Sequence, residues 1–483
     1  MNLVIDNTLT KVTLDDPRRL PALDMIYQCL SYLDTSKVFA ARLIAKRQER
    51  CSSFTGERKS FYSPDSRVFL TGFLSRVIDC LALNGIPFTL TDRRLKPAGS
   101  HKSGSFAVDG VTLRAYQTNA LSAFMGHDIG GLAFPRGVIH AATGSGKTEI
   151  AASAIRGLGV PALFLTHRVH LLHQTARRFQ KRMPELAQRI GAIGDGIYEP
   201  NFVTVATVQT LYSMLKSHSQ HTRELLSKYR LLIIDEAHRS GASQFYTTAS
   251  FCQNAYYRMA LTATPFMKGN AHDDMMLMGI SGGTVARVTN FELIEAGVLA
   301  RPFFSFLAVN SPDISHLSEW RDIYKAGIIY NEYRNQLIAG QAFKLAKAKK
   351  KILVIVSETK HGKILEDKIR AAGVRVEYVD GKNTNSERER ALTLLSKDEL
   401  DAIVVTNIFD EGIDVEDISA VILAAGNKSA PALFQRTGRA IRKKAEDNYA
   451  IIIDFIDNTH HVLKRHSRNR YEIVRNEAGF TIL

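Results

Sequence analysis

The chain has 483 residues, 45% hydrophobic and 23% charged, which is length for about three domains at roughly 150 residues each and excludes a disordered chain. Sixty-three Lys and Arg against 48 Asp and Glu leave a net charge of +15, which points to a polyanionic partner, nucleic acid first, because each phosphate neutralised releases a counterion. No apolar run approaches the ~18 residues of a membrane span. The N-terminus MNLVIDNTLT lacks the basic and long apolar regions of a secretory signal, and Cys29, Cys51, Cys80 and Cys252 form no CxxC pair. A reducing, cytoplasmic setting is therefore expected, with neither a zinc ribbon nor a disulfide framework.

Residues 1–105 read as a small basic α+β module. A strand-like start is followed by helical stretches over about Leu20 to Leu33 and Arg67 to Leu83, then an extended Phe88-Thr-Leu-Thr. Lys46, Arg47, Arg50, Arg58 and Lys59 interleave with Phe54, Phe61 and Tyr62. That mixture suits a loop or hairpin that contacts phosphates and stacks on bases, and equally an ordinary solvated face. The segment from Lys96 to Ser105 reads as a flexible tether.

From Gly137 onward, short β-branched apolar runs alternate with glycine or polar turns and helix-like stretches, which predicts βα units and a parallel sheet. The strands are Gly137-Val-Ile-His, Ala162-Leu-Phe-Leu-Thr, Phe202-Val-Thr-Val-Ala and Leu231-Leu-Ile-Ile. The rhythm restarts after Pro302 with runs beginning at Lys351, Val374, Asp401, Ala420 and Tyr449. Two tandem α/β domains are expected, over residues 106–298 and 299–483, each a parallel sheet with helices on both faces and joined near Glu292 to Pro302.

Three constellations carry chemistry. Directly after the strand at Gly137, Ala141-Ala-Thr-Gly-Ser-Gly-Lys-Thr148 has the form of a P-loop leading into a helix, with alanine at the usual first glycine. Thr143, Gly144, Ser145 and Gly146 would aim backbone N–H groups at phosphate oxygens, Lys147 would reach the β- and γ-phosphates, and Thr148 would bind Mg²⁺. A fully apolar strand then runs into Asp235-Glu-Ala-His238, placing Asp235 to hold the metal and Glu236 to polarise the attacking water at the carboxyl end of a buried strand. In the second half, Gln435, Arg439 and Arg442 fall at offsets 0, 4 and 7, one face of a helix, with the two arginines suited to stabilise transferring phosphate.

With these residues in place, the chain resembles superfamily 2 helicases and translocases of the DEAH-lettered type over about residues 111 to 470. That resemblance implies two RecA-like domains with ATP and Mg²⁺ between them, and fits Ala141. It implies adenine contact by Arg114 and Gln117 of Leu113-Arg-Ala-Tyr-Gln117, and nucleotide contact by Asp414 of Glu411-Gly-Ile-Asp414. It implies nucleic-acid contact by Thr166, Arg168, Thr207, Gln209 and Thr406, although threonine hydroxyls cap helices as readily. It implies coupling of hydrolysis to movement by His238, Thr262 and Thr264. Within the superfamily, the RAYQ segment, the His361-Gly362 pair, the ELIEAGVLARP linker and Tyr330-Asn-Glu-Tyr-Arg-Asn335 are similar to UvsW-type phage recombination helicases and their XPB-type relatives. The expected partner is therefore DNA, duplex, forked or four-way, with single strands also accepted.

Other features have plainer readings. His167, His170 and His173, and His460, His461 and His466, lack the neighbouring ligands of a zinc site. Met275, Met276 and Met278 read as core or interface filler, and Lys344 to Lys351 as a solvated helix end. Glu358-Thr-Lys360 has no acidic partner upstream, so a nuclease is rejected. An RNA-dependent ATPase of the same fold and the motor subunit of a restriction-type complex remain as alternatives. A non-enzymatic binding module fits poorly with an intact set of Lys147, Asp235, Glu236, Arg439 and Arg442.

Overall fold

The structure is a computed structural model that describes residues 1–34, 57–97, 106–142, 144–236, 242–263, 265, 271–406, 418–426 and 448–483. Thr143, His238, Thr264, Asp414, Gln435, Arg439 and Arg442, with residues 35–56 and residues 98–105 of the tether, lie outside the described residues. The chain packs as two compact units, Met1–Ala141 with Gly146–Val288, and Thr289–Leu483 with Ala142–Ser145.

The first unit begins with a five-stranded sheet built from β1 (Asn2–Ile5), β2 (Leu9–Thr13), β5 (Tyr62–Ser63), β6 (Val68–Leu70) and β7 (Thr89–Asp92), in the order β5-β6-β2-β1-β7. A separate ribbon pairs β3 (Ser31–Asp34) with β4 (Glu57–Ser60). The helix expected through Leu33 stops at Cys29, as α1 (Leu20–Cys29), because the chain turns into β3 and pairs there. The helix expected from Arg67 instead starts as strand β6, whose Leu70 and Val68 pair with Leu9 and Lys11, and becomes α2 (Leu74–Leu83) only after a 3-10 turn at Thr71–Phe73. Local Val-Phe-Leu pattern and pairing outweigh helical propensity here.

The module shares one apolar core with the sheet that follows. That sheet contains β8 (Arg136–Ala141), β9 (Ala162–Thr166), β10 (Ile190–Gly194), β11 (Ile197–Tyr198), β12 (Val203–Thr207), β13 (Leu231–Asp235), β14 (Tyr257–Thr262) and β15 (Thr284–Val288), ordered β11-β10-β12-β9-β13-β14-β8-β15. Every pair is parallel except the short β10–β11 hairpin. Continuous apolar runs such as Ala162-Leu-Phe-Leu suit strands buried on both faces.

Two arginines clamp the module to the starting ends of these strands. Arg136 and Arg258 are register partners at the beginnings of β8 and β14, and are only 1% and 2% exposed. Arg136 donates to the Asn7 carbonyl at 2.7 Å, and Arg258 donates to the Thr8 hydroxyl at 2.9 Å and to the Cys252 carbonyl at 2.7 Å. Burial lowers both guanidinium pKa values, Arg136 well below its ordinary range with Arg258 adding repulsion, and Arg258 to about 10. The Arg136 guanidinium also lies 4.9 Å from the Phe134 ring centre, a contact that compensates desolvation. Nearby, Gly72 meets the carbonyl oxygens of Met278 and Gly279 so closely that a Cβ would overlap them. Met275 and Met276 are core residues, as the sequence suggests.

The second unit is a seven-stranded, all-parallel sheet of β16 (Arg301–Val309), β17 (Ile352–Val356), β18 (Val376–Val379), β19 (Ala402–Thr406), β20 (Ala420–Leu423), β21 (Tyr449–Asp457) and β22 (Thr481–Ile482), ordered β18-β19-β17-β20-β21-β16-β22. Helices α3 (Glu332–Lys347), α4 (Thr359–Ala371) and α5 (His461–Asn476) pack around it. Its polar interior is paired: Arg334 with Asp457 at 2.9 Å, Arg470 with Asp454 at 2.8 Å, and His361 Nε2 with Asn335 Oδ1 at 3.0 Å. Burial, with a smaller push from Arg334, lowers the His361 pKa to about 3.

Deletion of residues 1–105 is expected to open the apolar core that the module shares with the sheet and to strip the Asn7 carbonyl from Arg136 and the Thr8 hydroxyl from Arg258, which keeps the Ala249, Ala255 and Cys252 carbonyls. The truncated chain should melt well below the full chain, and equal melting temperatures by calorimetry would refute the clamp. Because the folded His361 pKa lies below its unfolded value, its contribution is complete above about pH 6.5 and is lost as pH falls toward 3, by at most about 1.4 kcal/mol per pH unit. Urea unfolding from pH 7 to 4 should show a shallower decline in His361→Gln than in the parent.

Candidate nucleotide and nucleic-acid site

Parallel pairing brings the ends of β8, β9, β12, β13 and β14 to one edge of the first sheet. At that edge β8 ends at Ala141 and the chain enters a loop in which Gly144 and Gly146 take φ of +88° and +78°. Only glycine enters this left-handed region without penalty. The 12-residue helix Lys147–Leu158 follows, with Gly146 at its N-cap and no side chain capping it. Its first N–H groups and its positive dipole end are thus offered to an anion. A Cβ at Gly146 would come within 2.5 Å of the Gln117 side-chain nitrogen, so the glycine also permits the Gln117 segment to close on the loop.

Gln117 itself is buried and accepts from the Arg114 backbone N–H at 2.9 Å, which starts the helix Ala115–Met125, while Arg114 is exposed. Lys147 Nζ lies 3.3 Å from Glu236 Oε1 and 3.4 Å from the Ala141 carbonyl. Asp235 ends β13, and Glu236 follows it with φ of +50° and a backbone N–H donating to the Leu261 carbonyl at 2.9 Å. A non-glycine residue held there stores of order 1–3 kcal/mol. Asp235, Glu236, Lys147 and Thr148 are all half-buried. Lys147 and Glu236 therefore meet, with Asp235 the next residue back along β13.

Thr166 and Thr207 are register partners at the ends of β9 and β12. Both are buried, and the Thr207 hydroxyl is shared with Thr210 at 2.7 Å. The Thr166 hydroxyl makes no hydrogen bond among the described residues. The surface groups of this edge are Arg168, half-buried and donating to the His167 ring at 2.7 Å, and exposed Gln209, which donates to the His167 carbonyl at 3.0 Å. In the second unit, Thr406 ends β19, is 7% exposed, and its hydroxyl likewise lacks a described partner. Thr262 ends β14 fully buried.

One residue at this edge was not singled out from the sequence. His140 sits in β8 opposite Thr262, and its Nε2 donates to the Ala263 carbonyl at 3.0 Å. Burial lowers its pKa, so the ring stays neutral. It ties the strand that feeds the P-loop to the segment after β14. The available signal was a lone polar residue inside the apolar run Gly137-Val-Ile-His140. Among the described residues no group of His, Cys, Asp or Glu forms a zinc-type cluster.

Two parallel βα units, one of them presenting a lysine from an uncapped helix start beside a strand-end Asp-Glu pair, define a nucleoside-triphosphate-driven motor of the helicase kind. Residues 110–267 match the family described as the type III restriction enzyme res subunit, and residues 334–444 match the helicase conserved C-terminal domain. The chain is a superfamily 2 helicase of the UvsW/XPB type. It is 27% identical over 380 residues to the DNA 3'-5' translocase XPB2 of Sulfurisphaera tokodaii, covering 72% of this chain and 82% of that protein. It is 26% identical over 279 residues to the ATP-dependent DNA helicase uvsW of Enterobacteria phage T4, covering 56% of this chain and 53% of that protein. The fragment structure of a putative HsdR subunit of a type I restriction enzyme from Vibrio vulnificus shares the fold, with a TM-score of 0.58 at 16% identity over 92% of this chain and 81% of that one.

Glu236→Gln keeps size and the left-handed backbone but removes the basic oxygen. Steady-state hydrolysis should fall about 10²- to 10⁴-fold, the usual contribution of a positioned base, with nucleotide affinity within a few-fold of the parent. An unchanged rate would remove Glu236 from the chemistry.

Proposed function

We propose that the chain is an ATP-driven DNA helicase or translocase acting on duplex and branched DNA. The observation that carries this is the meeting of Lys147 and Glu236 at the carboxyl edge of the first sheet, on the same edge as Arg168 and Gln209. ATP is the substrate. Lys147 exchanges Glu236 for the β- and γ-phosphate oxygens, and the first-turn N–H groups after Gly146 cradle the triphosphate. The freed Glu236 carboxylate takes a proton from the water that attacks the γ-phosphorus, as the bond to ADP breaks.

Carboxylate and hydroxyl oxygens are the donors a hard divalent cation takes, so Asp235 and Thr148 would hold Mg²⁺, which supplies charge neutralisation at the phosphates. Gln435, Arg439, Arg442 and Asp414 are assigned to the nucleotide on sequence, and His238, Thr262 and Thr264 to coupling. His140 belongs with the coupling residues because it bridges the P-loop strand and Ala263. Residues 1–105 are assigned as an accessory DNA-contacting element and 106–298 and 299–483 as the motor domains.

The net charge of +15 favours a phosphate backbone over a small anion as the larger partner. The names of the phage and archaeal relatives support DNA as the polymer, and forked and four-way DNA are the forms proposed on the motif resemblance to UvsW-type recombination helicases. No described helix is long and apolar enough to cross a membrane. The match to a restriction res-subunit family supports a second reading, a motor subunit that needs a partner chain.

ATP hydrolysis by the parent and by Lys147→Ala, measured across single-stranded, duplex, forked and four-way DNA and structured RNA, tests the proposal. DNA should stimulate the parent, and Lys147→Ala should lose hydrolysis while its DNA affinity stays within a few-fold. Stimulation by RNA alone would overturn the choice of polymer. Hydrolysis persisting in Lys147→Ala would overturn the site.

A further inference from the structure

The segment Tyr330-Asn-Glu-Tyr-Arg-Asn335 and the His361-Gly362 pair have no assigned part in ATP chemistry, yet buried polar groups of the second unit join them. Asn331 is 1% exposed; its amide donates to the carbonyls of Ser311 and Gly327 at 3.0 and 3.2 Å, and its oxygen accepts from the Arg334 N–H. Arg334 is fully buried against Asp457 and also donates to the Ala424 carbonyl at 2.8 Å. Asn335 donates to the Ile329 carbonyl at 2.9 Å and meets the ring of His361. A π-helical turn over Lys325–Ile329 precedes this network, and the Tyr330 N–H closes it onto the Lys325 carbonyl. Single π-turns of this kind are frequent at functional places.

What the network positions is on the surface. Tyr330 is 46% exposed and stands immediately before Asn331, while Lys360 is exposed and stands immediately before His361. The Lys360 ammonium lies 5.1 Å from the Tyr330 ring centre. A second tyrosine, Tyr333, is also exposed, and Lys363 lies one turn along α4 on the same face as Lys360. The adjacent carboxylate of Glu332 is neutralised by Lys368 at 2.6 Å. Lys360 sits in the first turn after β17, and β17 ends beside β19 with Val356 opposite Thr406. An exposed aromatic ring with a cation, held rigidly at the carboxyl edge of a parallel sheet, is the chemistry that takes a nucleobase by stacking and its phosphate by charge.

We infer that Tyr330 and Lys360 form a stacking platform for a base of a single DNA strand passing the carboxyl edge of the second sheet, Tyr330 against the base and Lys360 at the neighbouring phosphate. This rests on the DNA reading proposed above, and it adds a base contact to a motor whose other assigned contacts are to the backbone. Because every base has a π-face, the platform grips without reading sequence.

The test uses the full chain and a fluorescein-labelled 20-nucleotide oligothymidine, with anisotropy titrations at several salt concentrations. Tyr330→Ala should weaken binding about 5- to 150-fold, the range for loss of one base–aromatic stack, and Tyr330→Phe should bind within about two-fold of the parent, because a stack needs the ring and not the hydroxyl. Lys360→Ala should weaken binding and reduce the salt slope by about one. Hydrolysis without DNA should not change in any of them. Parent-like binding by Tyr330→Ala, or equal weakening by Tyr330→Phe, would overturn the platform while leaving the motor intact. A parent that binds no DNA would overturn both. Should Tyr330→Ala melt early, photo-crosslinking of an iodouracil oligonucleotide to the parent decides: linkage at Tyr330 supports the platform, and linkage only elsewhere refutes it.

Discussion

Parallel strand pairing is the constraint on which the rest of the molecule depends. A strand that runs beside its neighbours in the same direction puts every carboxyl end at one edge and every start at the other. Ala141, Thr166, Thr207, Asp235 and Thr262 therefore reach a single edge although they are spread over some 120 residues of chain, and the registers His140 with Thr262 and Asp235 with Leu261 bring that edge together. The opposite edge is left for structure. There Arg136 and Arg258, aligned by the same pairing, meet the Asn7 carbonyl and the Thr8 hydroxyl of the N-terminal module. The chemistry and the clamp are the two ends of the same strands.

This division changes what the N-terminal module is. The sequence suggests a small basic accessory module followed by a flexible tether. In the structure it completes the first unit, because it covers the starting ends of the strands, gives Arg136 and Arg258 the Asn7 carbonyl and the Thr8 hydroxyl, and shares the apolar core that would otherwise be opened. Its ribbon β3–β4 nevertheless reaches along the flank: Tyr32 bonds to His272 Nδ1 at 2.5 Å, at the start of the helix Ala271–Ser281 that descends from the carboxyl edge to the start of β15. The module thus touches both the starting ends of the strands and the helix that leads into β15. An effect of module residues on DNA binding is best read from surface substitutions on the ribbon, since wholesale removal also strips the clamp.

The βα rhythm, the P-loop and the Asp-Glu pair were legible because each is a contiguous pattern whose spacing follows from backbone geometry. What stayed hidden are contacts made by residue types with no pattern of their own. Asn7 contributes a main-chain carbonyl, which no sequence signal marks, and Arg136 and Arg258 look like any surface arginine until pairing buries them. The boundary errors at Cys29 and Leu70 have the same origin, for pairing with distant strands decided them. His140 was visible only as an oddity in an apolar run. Tyr330 to Asn335 and His361 were visible as a motif without a reason. The reason is a hydrogen bond between Asn335 and His361 across 26 residues of chain.

The backbone at Glu236 shows how the carboxyl edge departs from the regularity that creates it. Along an extended strand successive side chains point to opposite faces, so Asp235 and Glu236 in continued β-geometry would part company. The φ of +50° at Glu236 ends that alternation, and its N–H to the Leu261 carbonyl holds the turn against the register of β14. The strain is thereby paid from the pairing of the sheet and not from local propensity. Its product is a carboxylate within 3.3 Å of Lys147. On the function proposed above, the salt bridge would occupy the lysine and the base with one another until a phosphate competed for the lysine, so the same turn that stores strain would also make release of the base depend on substrate binding.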